Sequence, residues 1–271
     1  TDYCDQNRLS TEARLGLFVQ VCYALQHAHQ KGIIHRDIKP SNILVSQQDG
    51  TPACKVIDFG IAKAIGQRLT EETLLTAVEQ FIGTPVYMSP EQAQRSTVEM
   101  DTRSDIYSLG VLLYELLVGQ PPFDAKELVS SGLDAMRQII REQEPKRPST
   151  RLSTLPAADQ TTAAKCRQSE PPQLIHRLRG DLDWIVMRCL EKDRTRRYDT
   201  ANNLAEDVLR HLHQEPVTAR PPSRAYRFQK LVQRNKVVFA AGTMVAAALV
   251  LGLGFSLWTL AKERVARRQA L

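Results

Sequence analysis

Four polar residues in two short runs of the chain have the side chains that phosphoryl transfer requires. Asp37 and Lys39 lie two residues apart, and Asn42 follows on the same run. Asp58 comes sixteen residues after Asn42. Mg²⁺ prefers hard oxygen ligands, so an aspartate and an asparagine oxygen on neighbouring loops suit it. A second carboxylate can accept the proton of an attacking hydroxyl, and a lysine can reach the moving phosphate.

These residues belong to the first two of three motifs that follow one another in the chain. The motifs are His35-Arg36-Asp37-Ile38-Lys39-Pro40-Ser41-Asn42, Asp58-Phe59-Gly60 and Ser89-Pro90-Glu91. Their order and spacing resemble the C-terminal lobe of eukaryotic-type protein kinases over about residues 1–213. Taken singly, each motif is commonly a turn or a solvated loop, so the inference depends on all three together.

The resemblance implies a protein serine/threonine kinase that uses ATP and Mg²⁺ and phosphorylates serine or threonine hydroxyls of a protein substrate. Asp37 would be the catalytic base, with Lys39 on the transferred phosphate of ATP. Asn42 and Asp58 would hold the magnesium ion. Leu44 would lie beneath the adenine ring. Lys39, two residues after Asp37, indicates the serine/threonine class rather than the tyrosine class.

The resemblance also implies two supporting contacts. His35 and Phe59 would stack in the interior, tied to Asp105 on a buried helix. Glu91 would pair with Arg197, a contact that would be structural even in a kinase.

Further residues are expected to act in the segment between the second and third motifs. Gly60 completes the second motif, and Thr84 would bond Asp37 and Lys39 in a substrate-docking loop. Arg36 would pair with a phosphate on this segment and order it. The candidate phosphorylation sites are Thr70, Thr73 and Thr76.

The elements that position these residues are predicted to be mostly helical. Ser10 and Thr11 can cap a helix that runs to about Lys31, on which His27 and His29 are assigned no role. Short apolar runs at 43–45 and 55–57 predict a hairpin, and 106–118 a buried helix. Helices are also expected over 181–192 and 200–213. Residues 145–180, rich in Pro, Ser, Thr and Arg, predict an exposed insertion.

The charge is distributed unevenly along the chain, whose net charge is +6. Residues 216–271 contain ten Lys and Arg and one acid, Glu263, so residues 1–215 carry a net −3. An acidic globular part argues against a nucleic-acid partner. The five cysteines are scattered with no CxxC pair, which argues against a disulfide framework or a cysteine zinc site.

Residues 237–260 contain no charged residue and predict a single transmembrane helix. The expected organisation is a kinase domain at 1–215, a basic linker at 216–236, the span, and a basic stub at 261–271. Six bases precede the span and four follow it, which weakly favours a cytoplasmic kinase lobe. The linker is expected to attract anionic lipid of the bilayer. Gly242 and Ala246 have the spacing of a helix pair, compatible with a homodimer.

The sequence contains no GxGxxG loop, and only 34 residues precede His35. We therefore expect a mainly α fold, the C-terminal lobe with its small β-hairpin and without the N-terminal lobe. Such a chain should bind ATP poorly and transfer negligible phosphate alone. The alternative is a non-catalytic, membrane-tethered kinase-like scaffold, but a scaffold has no need of Asp37, Asn42 and Asp58.

Overall fold

The computed structural model describes residues 1–48, 50–59, 85–94, 100–221 and 223–269. Contacts divide the chain into a first unit, Thr1–Leu212 with Val217–Pro221, and a second unit, His213–Pro216 with Pro222–Leu271. The sequence predictions for five residues fall outside the described residues. These are Gly60, Thr70, Thr73, Thr76 and Thr84.

The first unit is mainly α-helical with one small sheet, as predicted. Its elements are α1 (Asp2–Gln6), α2 (Thr11–Gln30), β1 (Ile43–Gln48), β2 (Thr51–Val56), α3 (Arg103–Val118), α4 (Ala125–Ser130), α5 (Leu133–Glu142), α6 (Pro148–Thr154), α7 (Ala157–Cys166), α8 (Pro171–Leu178), α9 (Asp181–Cys189) and α10 (Ala201–Leu212). Short 3-10 turns occupy 40–42, 85–87 and 194–196.

The first motif lies between helix α2 and the hairpin. The Ser10 hydroxyl caps α2 by accepting a hydrogen bond from the amide of Ala13, as the sequence predicts. Strands β1 and β2 pair antiparallel, with Ile43 opposite Val56. The predicted hairpin is therefore confirmed, and the residues just outside this pair are brought together at its open end.

Helix α3 is the centre of the core, and fourteen of its sixteen residues are buried. It packs directly against α9, because Gly110 has no side chain. A Cβ built on Gly110 would lie 2.4 Å from the Cβ of Cys189. The helix ends at Gly119, which has φ 93° and so adopts the left-handed conformation that glycine tolerates.

The prediction of an exposed insertion at 145–180 is wrong. Three helices, α6, α7 and α8, occupy this segment, and their leucines Leu152, Leu174 and Leu178 are fully buried. The carboxylate of Asp183 on α9 accepts hydrogen bonds from the amide and hydroxyl of Ser149, at 2.9 and 2.6 Å. The segment is an integral part of the helical core.

The second unit consists mainly of α11 (Arg224–Arg234) and α12 (Lys236–Gln269). Helix α12 includes the uncharged run at 237–260. The ring of Phe228 on α11 meets that of Phe239 on α12 edge to face, with centroids 5.9 Å apart. Over the residues that the structure describes, no helix reaches the length and apolarity that crossing a membrane demands.

Candidate active site

Asp37 is held by two neighbours on its own loop. The ammonium of Lys39 lies 2.9 Å from one carboxylate oxygen, Oδ2. The Asn42 amide nitrogen donates to the backbone carbonyl of Asp37 at 2.8 Å and to the same Oδ2 at 3.2 Å. The side chains of Asp37 and Lys39 remain 18% and 14% exposed. The carboxylate is therefore fixed in place while part of it remains open to a substrate.

The hairpin brings Asp58 to the same place. The amide of Ile57 donates to the carbonyl of Asn42 at 2.9 Å, one step beyond the Ile43–Val56 pair. Asp58 follows Ile57 directly and is exposed, with a positive φ of 55°. Non-glycine residues seldom adopt this conformation, and they do so mostly where the surrounding structure enforces it. Asp58 thus stands next to Asn42 in space, as the motif spacing predicts.

The loop is attached to the core through Asp105. This buried carboxylate on α3 accepts hydrogen bonds from the amides of His35 and Arg36, both at 2.8 Å. Nε2 of His29 lies 2.8 Å from its Oδ2. Arg36 has φ 65°, and its carbonyl accepts a bond from the side chain of Gln92 at 2.9 Å. The strained backbone before Asp37 is therefore fixed by partners from two other segments, and His29 contacts one of these partners, Asp105.

His29 is a contact that the sequence reasoning missed, since no role was assigned to it. A signal was available in the helical pattern. His29 shares a face of α2 with Cys22 and Leu25, which are fully buried. A polar side chain on a buried face has to find a partner. His27, which points elsewhere on the same helix, is exposed.

His35 connects the loop to the second motif. Its ring centroid lies 4.7 Å from that of Phe59, with the planes inclined by 43°. Its Nε2 lies 2.9 Å from the carbonyl of Ile57. The stacking expected from the sequence is present, and it ties the residues around Asp58 to the loop that carries Asp37.

Glu91 and Arg197 form the buried ion pair expected from the sequence. Burial opposes ionisation of Glu91, but two hydrogen bonds from Arg197 and one from Ser104 outweigh it and lower the pKa of the carboxyl. The guanidinium also donates to the backbone carbonyls of Arg103, Glu191 and Lys192. All five of its N–H groups have partners, so the third motif is clamped to the core through Glu91.

A cavity of about 650 Å³ lies beside the loop, lined by Lys39, Leu44, Cys54, Tyr87 and Glu115 among others. Leu44 is 51% exposed and offers an apolar surface to a flat ring. The Tyr87 hydroxyl donates a hydrogen bond to Glu115. Burial raises the pKa of both groups. Sequence reasoning did not single out this pair.

The oxygens present fit a magnesium ion. Because the amide nitrogen of Asn42 points at Asp37, its carbonyl oxygen Oδ1 is the atom left for a metal, with the hydroxyl of Ser41 at 3.5 Å. The exposed carboxylate of Asp58 is the second hard ligand. Two protein oxygens leave the remaining positions to phosphate and water, which is how Mg²⁺ usually binds nucleotides.

Most of the chain is similar to known protein kinases. The sequence profile of the protein kinase domain matches residues 2–213. The serine/threonine-protein kinase PknB of Mycobacterium tuberculosis is 39% identical over 211 residues, which is 78% of this chain and 28% of that protein. PknB of Mycolicibacterium smegmatis is 40% identical over 201 residues, 74% of this chain and 26% of that protein.

The chain thus spans just over a quarter of the length of these relatives. A solved structure of the Mycobacterium tuberculosis PknI kinase domain, a mutant, is similar with a TM-score of 0.47 and 21% identity, covering 77% of this chain and 61% of that one. The matched residues 2–213 contain all three motifs. They also contain the two supporting contacts, His35 with Phe59 and Glu91 with Arg197. The chain belongs to the protein kinase domain family.

Proposed function

We propose that this chain is the catalytic-loop part of a protein serine/threonine kinase, which transfers the γ-phosphate of ATP to a serine or threonine hydroxyl. The observation that carries the proposal is the Asp37 carboxylate, held by Lys39 at 2.9 Å and Asn42 at 3.2 Å. The pair keeps a restrained, partly open carboxylate beside a lysine, which is what a general base and a phosphate-binding cation require. The names of the relatives, which are serine/threonine-protein kinases, support the same class.

The residues act by position and charge. Asp37 accepts or orients the proton of the attacking hydroxyl, and Lys39 neutralises charge on the moving phosphate. Magnesium, when held by Asn42 and Asp58, neutralises the phosphate oxygens of ATP. Leu44 provides the apolar floor for adenine. The proposal also assigns Thr84 to the docking loop and Gly60 to the metal-binding motif, and both residues lie outside the described part of the chain.

Regulation follows from Arg36. Hydrogen bonds to Asp105 and Gln92 fix the backbone of Arg36. The Cα of Arg36, from which its side chain extends, is therefore held next to Asp37. A phosphate on Thr70, Thr73 or Thr76 would pair with it and order the segment between the second and third motifs.

Membrane attachment is the second part of the proposal. The support is the sequence of 237–260, which carries no charge, and the bases on both sides of it. The bilayer would be crossed once, with the kinase lobe on the cytoplasmic side where ATP is, and pairing through Gly242 and Ala246 would give a homodimer. Alkaline carbonate washing of membranes tests the span: a spanning chain stays in the pellet, and a chain released into the wash would contradict it.

The decisive experiment measures phosphate transfer from radiolabelled ATP to a generic serine/threonine protein substrate by the full-length product of the gene. Asp37→Asn should reduce the rate at least about 100-fold, because a general base contributes that much. The matched control is Asp134→Asn, an exposed carboxylate on α5, which should leave the rate unchanged. A full-length protein with no transfer, or one that Asp37→Asn does not affect, would contradict the proposal and favour the scaffold.

Residues 1–271 by themselves are proposed to transfer little phosphate. These residues contain no GxGxxG loop, and none of their lysines is assigned to the α- and β-phosphates of ATP. The same assay on the 271-residue chain tests this, and transfer that Asp37→Asn abolishes would overturn it.

A further inference from the structure

Helix α11 presents one exposed stripe in which three arginines flank two apolar side chains. Successive members of the set Arg224, Arg227, Phe228, Leu231 and Arg234 are three, one, three and three residues apart, which places them on one side of the helix. All five are exposed. Phe228 is 60% and Leu231 44% exposed, and the two lie next to each other, one helical turn apart. We call these five residues the α11 stripe.

The stripe has the chemistry of a helix that lies on a bilayer surface. Guanidinium groups bind phosphate oxygens of lipid headgroups, and the ring of Phe228 and the chain of Leu231 reach the acyl boundary between them. No acidic residue occurs between Pro216 and Lys262, so the arginines have no negatively charged neighbour within this stretch of sequence. Within the second unit, Arg234 has one acidic partner, Glu215 at 3.2 Å.

The helix is also positioned beside the apolar α12. Phe228 meets Phe239 edge to face at 5.9 Å, so the start of α12 lies against the stripe. The described side chains of α12 from Met244 to Trp258 are apolar and highly exposed. Both helices therefore offer apolar side chains to the same environment, and α11 adds three exposed arginines to it.

We propose that the α11 stripe docks on the surface of an anionic bilayer, with its arginines on lipid phosphates and with Phe228 and Leu231 inserted at the headgroup boundary. The docking does not require α12 to cross the bilayer, so it stands apart from the membrane span and from the kinase activity. Its occupant is the lipid surface rather than a soluble phosphate, because a free anion would not explain two exposed apolar side chains between the arginines.

The test places a tryptophan in the stripe of the full 271-residue chain. Phe228→Trp is combined with Trp184→Phe and Trp258→Phe, so that the chain has a single tryptophan, at position 228. The chain is mixed with vesicles of brominated phosphatidylcholine, either alone or with one third phosphatidylglycerol. The fluorescence of the tryptophan introduced at position 228 should be quenched and blue-shifted by the anionic vesicles and quenched less by the neutral ones, because three arginines lie at the anionic surface.

Two variants make the outcome specific. Arg224→Gln, Arg227→Gln and Arg234→Gln together should remove the preference for anionic vesicles. The control replaces three exposed arginines of the first unit, Arg141, Arg179 and Arg196, with glutamine and should leave it intact. Both sets change exposed residues, and circular dichroism checks that the helices remain.

Three results would overturn the docking. The first is no quenching by anionic vesicles. The second is equal quenching by neutral and anionic vesicles that the α11 substitutions do not change. The third is equal loss of preference in the control variant. If alkaline carbonate washes the Phe228→Trp chain from anionic vesicles but its fluorescence is quenched before the wash, the span fails and the docking holds.

Discussion

Arg197 donates two parallel hydrogen bonds to the carboxylate of Glu91, 106 residues earlier in the chain, at 2.8 and 2.9 Å. Both side chains are buried. The contact therefore joins the third motif directly to the segment that follows α9. A buried pair of this kind costs most when one partner is removed, because the other charge remains in the core.

Glu91→Ala should lower the free energy of unfolding by about 3 to 5 kcal/mol, the usual cost of leaving one charge of a buried pair without its partner. Urea unfolding followed by circular dichroism measures the change. The exposed pair of Arg103 and Asp199, at 2.6 Å, is the matched control. Asp199→Asn should cost less than about 1 kcal/mol, as for most surface pairs. Equal losses in the two variants would contradict the assignment.

Acid should destabilise the first unit through Asp207. Burial opposes the charge of this carboxylate, but hydrogen bonds from Thr218, Arg210 and Tyr198 outweigh it and lower its pKa in the folded state. A folded-state pKa below the unfolded value gives stability that is present at neutral pH. That stability is lost as the pH falls through the unfolded pKa toward the folded one.

The melting temperature measured from pH 7 down to pH 3 checks this expectation. Asp207→Asn should lower the melting temperature at pH 7 and flatten its dependence below pH 5, since the group that titrates is gone. An unchanged acid slope in Asp207→Asn would assign the sensitivity to other carboxyls, such as Glu91, whose pKa is also lowered.

His29→Ala should reduce kcat of the full-length kinase with little change in KM for ATP. His29 does not line the loop but contacts Asp105, the carboxylate that holds the amides of His35 and Arg36. It is therefore a positioning residue, and a shift of about 1 Å in the loop can cost up to 100-fold in rate. Steady-state kinetics measure the split between kcat and KM.

The control for this variant is His27→Ala, an exposed histidine two residues earlier on the same helix, which should leave kcat unchanged. The variant His29→Gln, which can still donate to Asp105, should restore part of the rate. If His29→Ala lowers only the melting temperature and not kcat, the contact is structural alone.

The parts of the site that follow from spacing along a short stretch of chain could be predicted from the sequence. The loop of Asp37, the hairpin that brings Asn42 to Asp58, and the buried helix around Asp105 each follow from short motifs or apolar periodicity. The pairing of Glu91 with Arg197 could not come from periodicity, because 106 residues separate them. It was found only because the motifs resemble a family in which such a pair is expected.

The composition of residues 145–180 led to the wrong prediction of an exposed insertion. Prolines and small polar residues suggested an exposed segment, but Pro148 and Pro171 each stand at the start of a helix, where the missing N–H costs nothing. The apolar spacing of Leu174 and Leu178, four residues apart, was the helical signal that should have outweighed composition. Proline near a helix start is compatible with a packed helix, and only proline within one is not.

The contact between α3 and α9 gives a last prediction. A methyl group on Gly110 would lie 2.4 Å from the Cβ of Cys189, so Gly110→Ala forces the two helices apart and should cost about 1 to 3 kcal/mol, as overpacked cores do. Gly16→Ala on α2, where no atom lies within 4 Å, should instead stabilise by about 0.4 to 1 kcal/mol, because alanine is the better helix former. Chemical denaturation of both variants measures these opposite signs. A Gly110→Ala variant as stable as the parent would show that α9 can shift without loss, and would contradict the close packing of the core beneath Asp105.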